Sequence, residues 1–162
     1  MALLTRPMVE TRPDAPAVID AAGSLSWSEL DRRVDRLVHA LRERGLGEGA
    51  TVALMAGNQH EAIEVTLACL HGGWVLVPVN WHWVGPELAH VLVDADAAAV
   101  VVASDWADVA VAAIEQLGRD GAPLPAARLV VGPVDTGMPE GFEDYEDVLA
   151  AAPDGEPADQ IR

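Results

Sequence analysis

The chain has 162 residues, of which 51% are hydrophobic and 22% are charged, and this composition is typical of one globular domain with a hydrophobic core. Its formal net charge of −16 disfavours binding to nucleic acid and to anionic membrane surfaces. All ten basic residues are arginine, which excludes, within this chain, any chemistry that needs a lysine as a nucleophile or phosphate ligand.

Five short segments read as strands, most of them apolar throughout, and helical segments separate them. The predicted strands are residues 17–20, 51–55, 74–79, 97–103 and 128–131. The predicted helices are residues 26–45, 58–73, 85–94 and 104–118. Because strands that are apolar throughout are buried on both faces, this order predicts a three-layer α/β domain with a mostly parallel sheet and flanking helices.

Capping signals predict where several helices begin and end. Ser26 stands three residues before Glu29, Asn58 stands three residues before Glu61, and both pairs have the spacing of a capping box. Ser104 is predicted to cap the last long helix. The glycines predicted to end helices are Gly45, Gly73 and Gly118.

The character of the chain changes at residue 132, where glycine, proline and acidic residues accumulate. We therefore divide the chain into an α/β N-terminal subdomain, residues 1–131, and an acidic Gly/Pro-rich connecting segment, residues 132–162. One short helix is predicted inside this segment, from Tyr145 to about Ala151. A connecting segment is favoured over an acidic binding tail, which is the alternative.

Most of the residues that could carry chemistry have a structural interpretation. Residues 45–49 contain three glycines, but they follow a helix and precede a strand, whereas a phosphate-binding loop follows a strand and begins a helix. His60 and His71 are about three helical turns apart, too far to share a metal ion. The single cysteine, Cys69, lies in an apolar helical run and is expected to be buried. No catalytic residue and no metal ligand is predicted.

One loop has unusual chemistry. Asn80, Trp81, His82 and Trp83 directly follow a predicted strand. In open α/β sheets, ligands bind beyond the carboxyl ends of the strands. The loop is therefore a candidate to face a ligand, such as an adenine or a pantetheine. The alternative, which is favoured, is that both tryptophans pack against a neighbouring domain.

Four segments together resemble the adenylate-forming (AMP-binding) enzyme superfamily. They are residues 25–30 (Leu-Ser-Trp-Ser-Glu-Leu), 45–54, 70–80 (Leu-His-Gly-Gly-Trp-Val-Leu-Val-Pro-Val-Asn) and 80–92. In the first motif Trp27 stands where tyrosine is usual. Asn80 resembles the acyl-CoA synthetase branch more than peptide-synthetase adenylation domains, where aspartate is usual at this position.

The resemblance implies the N-terminal part of an AMP-forming acyl-CoA synthetase, such as those of fatty-acid metabolism. These ligases condense a carboxylic acid with ATP, release pyrophosphate, and pass the acyl group from the acyl-adenylate to CoA with the help of Mg²⁺. The family's phosphate loop with its lysine, its ribose-binding aspartate, its magnesium-binding glutamate and its adenylation lysine would all follow a segment like residues 157–161. None of these motifs occurs here, so the resemblance implies no cofactor and no ligase activity for this chain alone.

Two hypotheses follow. In the first, the chain is a fragment whose partner is the remainder of the synthetase chain or a second copy, and it exposes apolar surface where the missing segments belong. In the second, it is a free-standing, non-catalytic binding or assembly module with the same fold. The first is favoured because the chain stops abruptly at residues 160–162. No apolar run reaches about 18 residues, so we expect no membrane span and a cytoplasmic location.

Overall fold

A computed structural model describes residues 5–157 of the chain. In chain order these residues form α1 (Arg6–Thr11), β1 (Pro16–Ile19), β2 (Ser24–Ser26), α2 (Trp27–Glu43), β3 (Thr51–Met55), α3 (His60–Gly72), β4 (Val75–Pro78), α4 (Gly85–Asp94), β5 (Ala97–Ala103), α5 (Ala107–Asp120), β6 (Ala127–Val131), β7 (Glu143–Asp144) and α6 (Tyr145–Ala151). None of the helices in this part of the chain is both long and apolar enough to cross a bilayer.

The main sheet has five strands in the order β4-β3-β5-β6-β7, and every neighbouring pair is parallel. The predicted α/β class with a mostly parallel sheet is therefore confirmed. The first predicted strand is present as β1, but it pairs antiparallel with β2 in a separate hairpin. The main sheet is therefore formed by the strands that follow α2.

Helices cover the sheet on both sides, as the uninterrupted apolar strands predicted. Val52 and Leu54 of β3 pack in one core cluster with residues of α2, α3 and α6. Ala53 and Met55 of the same strand pack in the other cluster with residues of α4 and α5. Successive side chains of a strand point to opposite faces, so one apolar strand serves both cores.

β4 differs from its prediction as a buried strand. It lies at the edge of the sheet, with β3 as its partner on one side. Val75 on β4 is 53% exposed. An apolar sequence alone cannot distinguish a central strand from an edge strand, because the position of a strand depends on the spatial order of the strands in the folded sheet.

The capping box at α2 is confirmed. The Glu29 backbone N–H donates to Ser26 Oγ at 3.3 Å, and the Ser26 backbone N–H donates to Glu29 Oε2 at 2.8 Å. The second predicted box is wrong: the cap residue of α3 is Gln59, and its side chain makes no capping hydrogen bond. Instead the Asp20 carboxylate accepts a hydrogen bond from the first backbone N–H of α3, at His60.

The boundaries of the last long helix also differ from the prediction. Residues Ser104–Trp106 form a single 3₁₀ turn, and α5 itself begins at Ala107 with no side-chain cap. The helix continues past Gly118 to Asp120, and its C-terminal cap residue, Gly121, adopts a left-handed conformation with φ of 66°. A cap residue in the left-handed conformation is usually glycine, and of Gly118 and Gly121 it is Gly121 that has this role.

The acidic segment forms ion pairs with arginines of α2 and with the arginine that follows it. Arg44 contacts Glu143 at 2.7 Å and Arg36 contacts Asp154 at 2.7 Å. The helix predicted from Tyr145 is present as α6, and its residues Tyr145, Val148 and Leu149 are buried against the core. The acidic residues thus neutralise arginines at the surface of α2 and at its C-terminal end.

Two ion pairs of the acidic segment, Arg44–Glu143 and Arg33–Glu146, predict an acid-sensitive component of stability. Hydrogen bonds from Arg44 and Arg33 hold the pKa values of Glu143 and Glu146 below their usual range. A depressed pKa stabilises the fold above the ordinary carboxylate pKa, and this contribution is lost as the pH falls through the folded-state pKa. We therefore expect the free energy of unfolding to decrease as the pH drops below about 4.5. Each exposed ion pair should account for about 0.2–1 kcal/mol of this decrease.

Urea denaturation of the chain between pH 7 and pH 3 measures this effect. The double variant E143Q/E146Q should be less stable than the unchanged chain at pH 7, and the difference between them should shrink as the pH falls. A constant difference over the whole range would contradict the assignment.

Candidate functional site

The carboxyl edge of the main sheet carries a cleft of about 240 Å³. Its walls come from the β1–β2 turn (residues 20–22), the start of α3 (residues 58–61), and the chain just after β5 and β6 (residues 103–105 and 131–132). Loops that follow parallel strands meet at this edge, which is where open α/β sheets place their ligands. The cleft is therefore the candidate site.

Asp20, His60 and Glu61 form a polar cluster in the cleft wall. Asp20 Oδ2 lies 2.8 Å from His60 Nδ1, and it also accepts the His60 backbone N–H at 2.9 Å. The other ring nitrogen, His60 Nε2, lies 3.1 Å from Glu61 Oε1. All three side chains are mostly shielded, with exposed fractions of 12–15%.

The hydrogen bonds of Asp20 shift its ionisation. Besides the two bonds from His60, its Oδ1 accepts the backbone N–H groups of Ala22 and Gly23. The hydrogen bond from the His60 side chain, followed by the one from the His60 backbone, lowers the pKa of Asp20 to about 2. Asp20 is thus a firmly ionised carboxylate that joins the β1–β2 turn to the start of α3.

This cluster was not predicted from the sequence. Asp20 was only the last residue of a predicted strand, and it is separated from His60 by 40 positions. The other histidine of α3, His71, lies elsewhere: it is buried, and its Nδ1 is 3.8 Å from Asp35 Oδ1. His60 and His71 lie at opposite ends of α3.

The structure divides the predicted loop of Asn80, Trp81, His82 and Trp83 into two parts. The Trp81 side chain is 47% exposed and its ring centroid lies 3.5 Å from that of His82. Trp83 is partly buried and packs against the α4–α5 core cluster. Asn80 Oδ1 accepts the His82 backbone N–H at 3.0 Å, which fixes the turn.

A third tryptophan, which the sequence analysis did not single out, joins the exposed part of this loop. The ring of Trp106, in the turn after β5, lies 5.8 Å from the ring of Trp81. It also covers Gly57 after β3, where an added Cβ would stand 3.7 Å from the ring. Three loops at the carboxyl edge therefore meet in one aromatic cluster.

Comparison with known proteins assigns the family. The sequence model of the AMP-binding enzyme family matches residues 6–160. The chain belongs to the AMP-binding enzyme family. The resemblance to the N-terminal part of an AMP-forming acyl-CoA synthetase is confirmed by this match and by the relatives below.

The relatives of this AMP-binding chain include a CoA synthase and an acyl-carrier-protein ligase. A feruloyl-CoA synthase from Amycolatopsis sp is 35% identical over 136 residues, which cover 82% of this chain and 26% of the relative. A fatty acid–acyl-carrier-protein ligase, ScoC, from Streptomyces coeruleorubidus is 38% identical over 82 residues, which cover 51% of this chain and 16% of the relative. The chain thus spans about a quarter or less of the length of these relatives.

A solved structure agrees with this assignment. The benzoate CoA ligase from Burkholderia xenovorans LB400 superimposes with a TM-score of 0.79 at 25% sequence identity, covering 97% of this chain and 29% of the ligase. The parallel sheet and its flanking helices are therefore those of the adenylate-forming enzymes.

Proposed function

We propose that this chain forms the N-terminal part of an AMP-forming acid–CoA ligase. The complete enzyme would activate a carboxylic acid with ATP and Mg²⁺ to an acyl-adenylate, and transfer the acyl group to CoA with release of AMP. The observation that carries this proposal is the family match over residues 6–160, together with relatives that include a feruloyl-CoA synthase.

The chain alone is proposed to lack ligase activity. Adenylate formation develops charge at the α-phosphate of ATP, and this charge requires cations and hydrogen-bond donors arranged around the phosphates. The sequence has no lysine, and the cleft at the carboxyl edge is lined by the carboxylates of Asp20, Glu61 and Asp105. Such a lining repels a triphosphate.

A pyrophosphate-exchange assay tests this proposal. The 162-residue chain is incubated with ATP, Mg²⁺, labelled pyrophosphate and a panel of aliphatic and aromatic carboxylic acids. We expect no ATP labelling above the background without protein, whereas a complete acid–CoA ligase assayed in parallel should label ATP. Exchange by the chain alone, which persists after further purification, would overturn the proposed inactivity.

Exposed apolar side chains support the proposal that further segments or a second copy cover this chain. Ile63 and Leu70 lie two turns apart on α3, with exposed fractions of 44% and 40%. Val75, on the open edge of the neighbouring strand β4, is also exposed. A free-standing module would instead be expected to carry polar residues at an open edge.

The intact mass of the protein in its own host distinguishes these two candidates. A mass well above 17.1 kDa would support the first, because the described residues would then be one part of a larger ligase. A mass of 17.1 kDa would support the module, and the search would turn to a binding partner.

The exposed loop is proposed to face a ligand or an interface of the complete enzyme. Trp81 and His82 are exposed at the edge where substrates bind in this fold class, and Trp106 extends the same aromatic surface. Trp83 is expected to have a packing role instead, because it contacts the α4–α5 core.

A further inference from the structure

Exposed apolar side chains lie along the β4 side of the main sheet. Ile63 and Leu70 on α3 are 44% and 40% exposed, and Val75 on β4 is 53% exposed. α2 packs against both α3 and α6, while α6 packs against β6 and β7, so α3 is the helix of this layer that lies nearest β4. Within the described residues no strand lies beyond β4. We name Ile63, Leu70, Val75 and Leu76 the apolar edge.

The α3 residues of the apolar edge point away from α2. Glu64 of α3 forms an ion pair with Arg33 of α2, which marks the flank of α3 that contacts α2. Neighbouring residues of a helix differ by about 100° in direction, and residues seven apart lie almost above one another. Ile63 and Leu70 therefore share a face that is turned by about 100° from the α2 contact. A molecule that docks beside β4 meets this face.

Charged residues are absent from the segment that forms most of this side. Residues 65–86 contain no Asp, Glu, Lys or Arg, and this is the longest such run in the chain. The chain as a whole has a formal net charge of −16, so two copies repel each other wherever their charged surfaces meet. The apolar edge is thus a surface at which a second copy can approach with little repulsion between like charges.

The backbone of β4 leaves one residue free to pair with another strand. The N–H groups of Val75 and Val79 donate to carbonyl oxygens of the β3 segment at 2.9 Å and 2.8 Å. Backbone groups of successive strand residues point in opposite directions, so Leu76 and Pro78 direct theirs away from β3. Proline has no N–H group. Leu76 is therefore the β4 residue that offers both a donor and an acceptor to a further strand.

We propose that two copies of the 162-residue chain pair through their β4 strands, antiparallel and across a two-fold axis at Leu76. Each Leu76 N–H donates to the Leu76 carbonyl oxygen of the other copy, as in a hydrogen-bonded antiparallel pair. Val75 of each copy then lies opposite Val77 of the second copy, and such β-branched cross-strand pairs stabilise a sheet. The same surface is used twice, so the assembly closes as a dimer.

Pro78 limits this pairing to a short ladder. Its missing N–H would fall on the next outward position after Leu76, and proline at an edge strand is a common way to restrict strand addition. The affinity must therefore come mainly from apolar contacts, to which Ile63 and Leu70 add a second pair of side chains. This inference rests on the proposal above that the exposed apolar residues are covered, and it assigns a second copy as the cover.

Sedimentation velocity of the 162-residue chain tests the dimer between about 1 µM and 1 mM, the range of weak affinities. We expect the apparent mass to rise with concentration from 17.1 kDa toward twice that value. Association should strengthen as sodium chloride is added, because salt screens the repulsion between two acidic chains. The variants V75E and I63E/L70E should remain monomeric at concentrations where the unchanged chain is a dimer, since each brings carboxylates together across the axis.

A matched control and a residue-specific measurement accompany these variants. L124E places the same charge on a leucine that is 44% exposed in the loop between α5 and β6, and β3 and β5 separate β6 from β4. It should dimerise like the unchanged chain. Circular dichroism should show that every variant stays folded. Hydrogen exchange of the Leu76 amide should slow as the concentration of the unchanged chain rises, and should not change with concentration in V75E.

Three results would overturn the proposed dimer. One is a mass of 17.1 kDa at every concentration and salt level, which would leave the apolar edge to a different occupant, such as a further segment of a longer chain. Another is dimerisation of V75E and I63E/L70E as strong as that of L124E. The third is growth beyond a dimer, which contradicts closure by a two-fold axis. None of these results alters the family match or the pyrophosphate-exchange test, so failure of the dimer and failure of the proposed function are distinguishable.

Discussion

Replacement of Arg33 by methionine is expected to lower the free energy of unfolding by about 3 kcal/mol or more. The reason is Glu64, whose side chain is completely buried on α3. Its carboxylate is held by Arg33, with Nε–Oε1 at 2.5 Å and Nη2–Oε2 at 3.2 Å, and by the Tyr145 hydroxyl, which donates to Oε2 at 2.8 Å. Removal of the guanidinium leaves a buried carboxylate with one neutral donor, while methionine preserves most of the packing of the aliphatic stem.

Urea denaturation at pH 7 measures the loss. R36M is the matched control, because Arg36 lies on the same helix and pairs with the exposed carboxylate of Asp154, so its replacement should cost far less. The triple variant R33M/E64M/Y145F removes the buried charge with both of its partners, and it should be more stable than R33M. Equal losses in R33M and R36M would show that burial of Glu64 is not the cause.

Replacement of Gly85 by alanine is expected to destabilise the chain by about 1–3 kcal/mol, the usual cost of overpacking. Gly85 begins α4, and a Cβ atom there would lie 2.7 Å from the Cβ of Ala112 and 3.3 Å from backbone atoms of Ala112 and Ala113. These atoms belong to α5, and none of them is the end of a flexible side chain. The two helices must therefore separate before the new methyl group fits.

The matched control is G118A. Gly118 lies inside α5, and an added Cβ there meets no atom within 4 Å. Alanine should therefore stabilise the helix by about 0.5–1 kcal/mol through its higher propensity. Urea midpoints that move in opposite directions for G85A and G118A would support close α4–α5 packing. A midpoint for G85A at or above that of the unchanged chain would contradict it.

The Arg33–Glu64–Tyr145 network also explains how the acidic segment joins the domain. Tyr145 begins α6, and its ring is fully buried beside α2 and α3. Burial and the neighbouring Glu64 carboxylate raise the pKa of the Tyr145 hydroxyl well above its usual value, so it remains a donor at neutral pH. The segment predicted as a connection therefore contributes side chains to the core as well as ion pairs to the surface of α2.

Local signals in the sequence were sufficient for most of the secondary structure. The strands at residues 51–55 and 97–103 and the helix that begins after Ser26 lie where the pattern predicts them. Periodicity and capping act between residues a few positions apart, so the sequence reveals them directly. The absence of lysine and the four family motifs likewise required no structure, and together they indicated the ligase family.

The candidate site could not be predicted, because its contacts join residues that are far apart in the sequence. Asp20 meets His60 across 40 positions, and Arg33 meets Glu146 across 113. The same holds for the aromatic cluster of Trp81 and Trp106, and for the edge position of β4. Which residues meet at the carboxyl edge is set by the order of the parallel strands, and that order is a property of the assembled sheet. The sequence by itself therefore determined the elements and the family, whereas the tertiary structure alone decided which side chains face one another across the cleft.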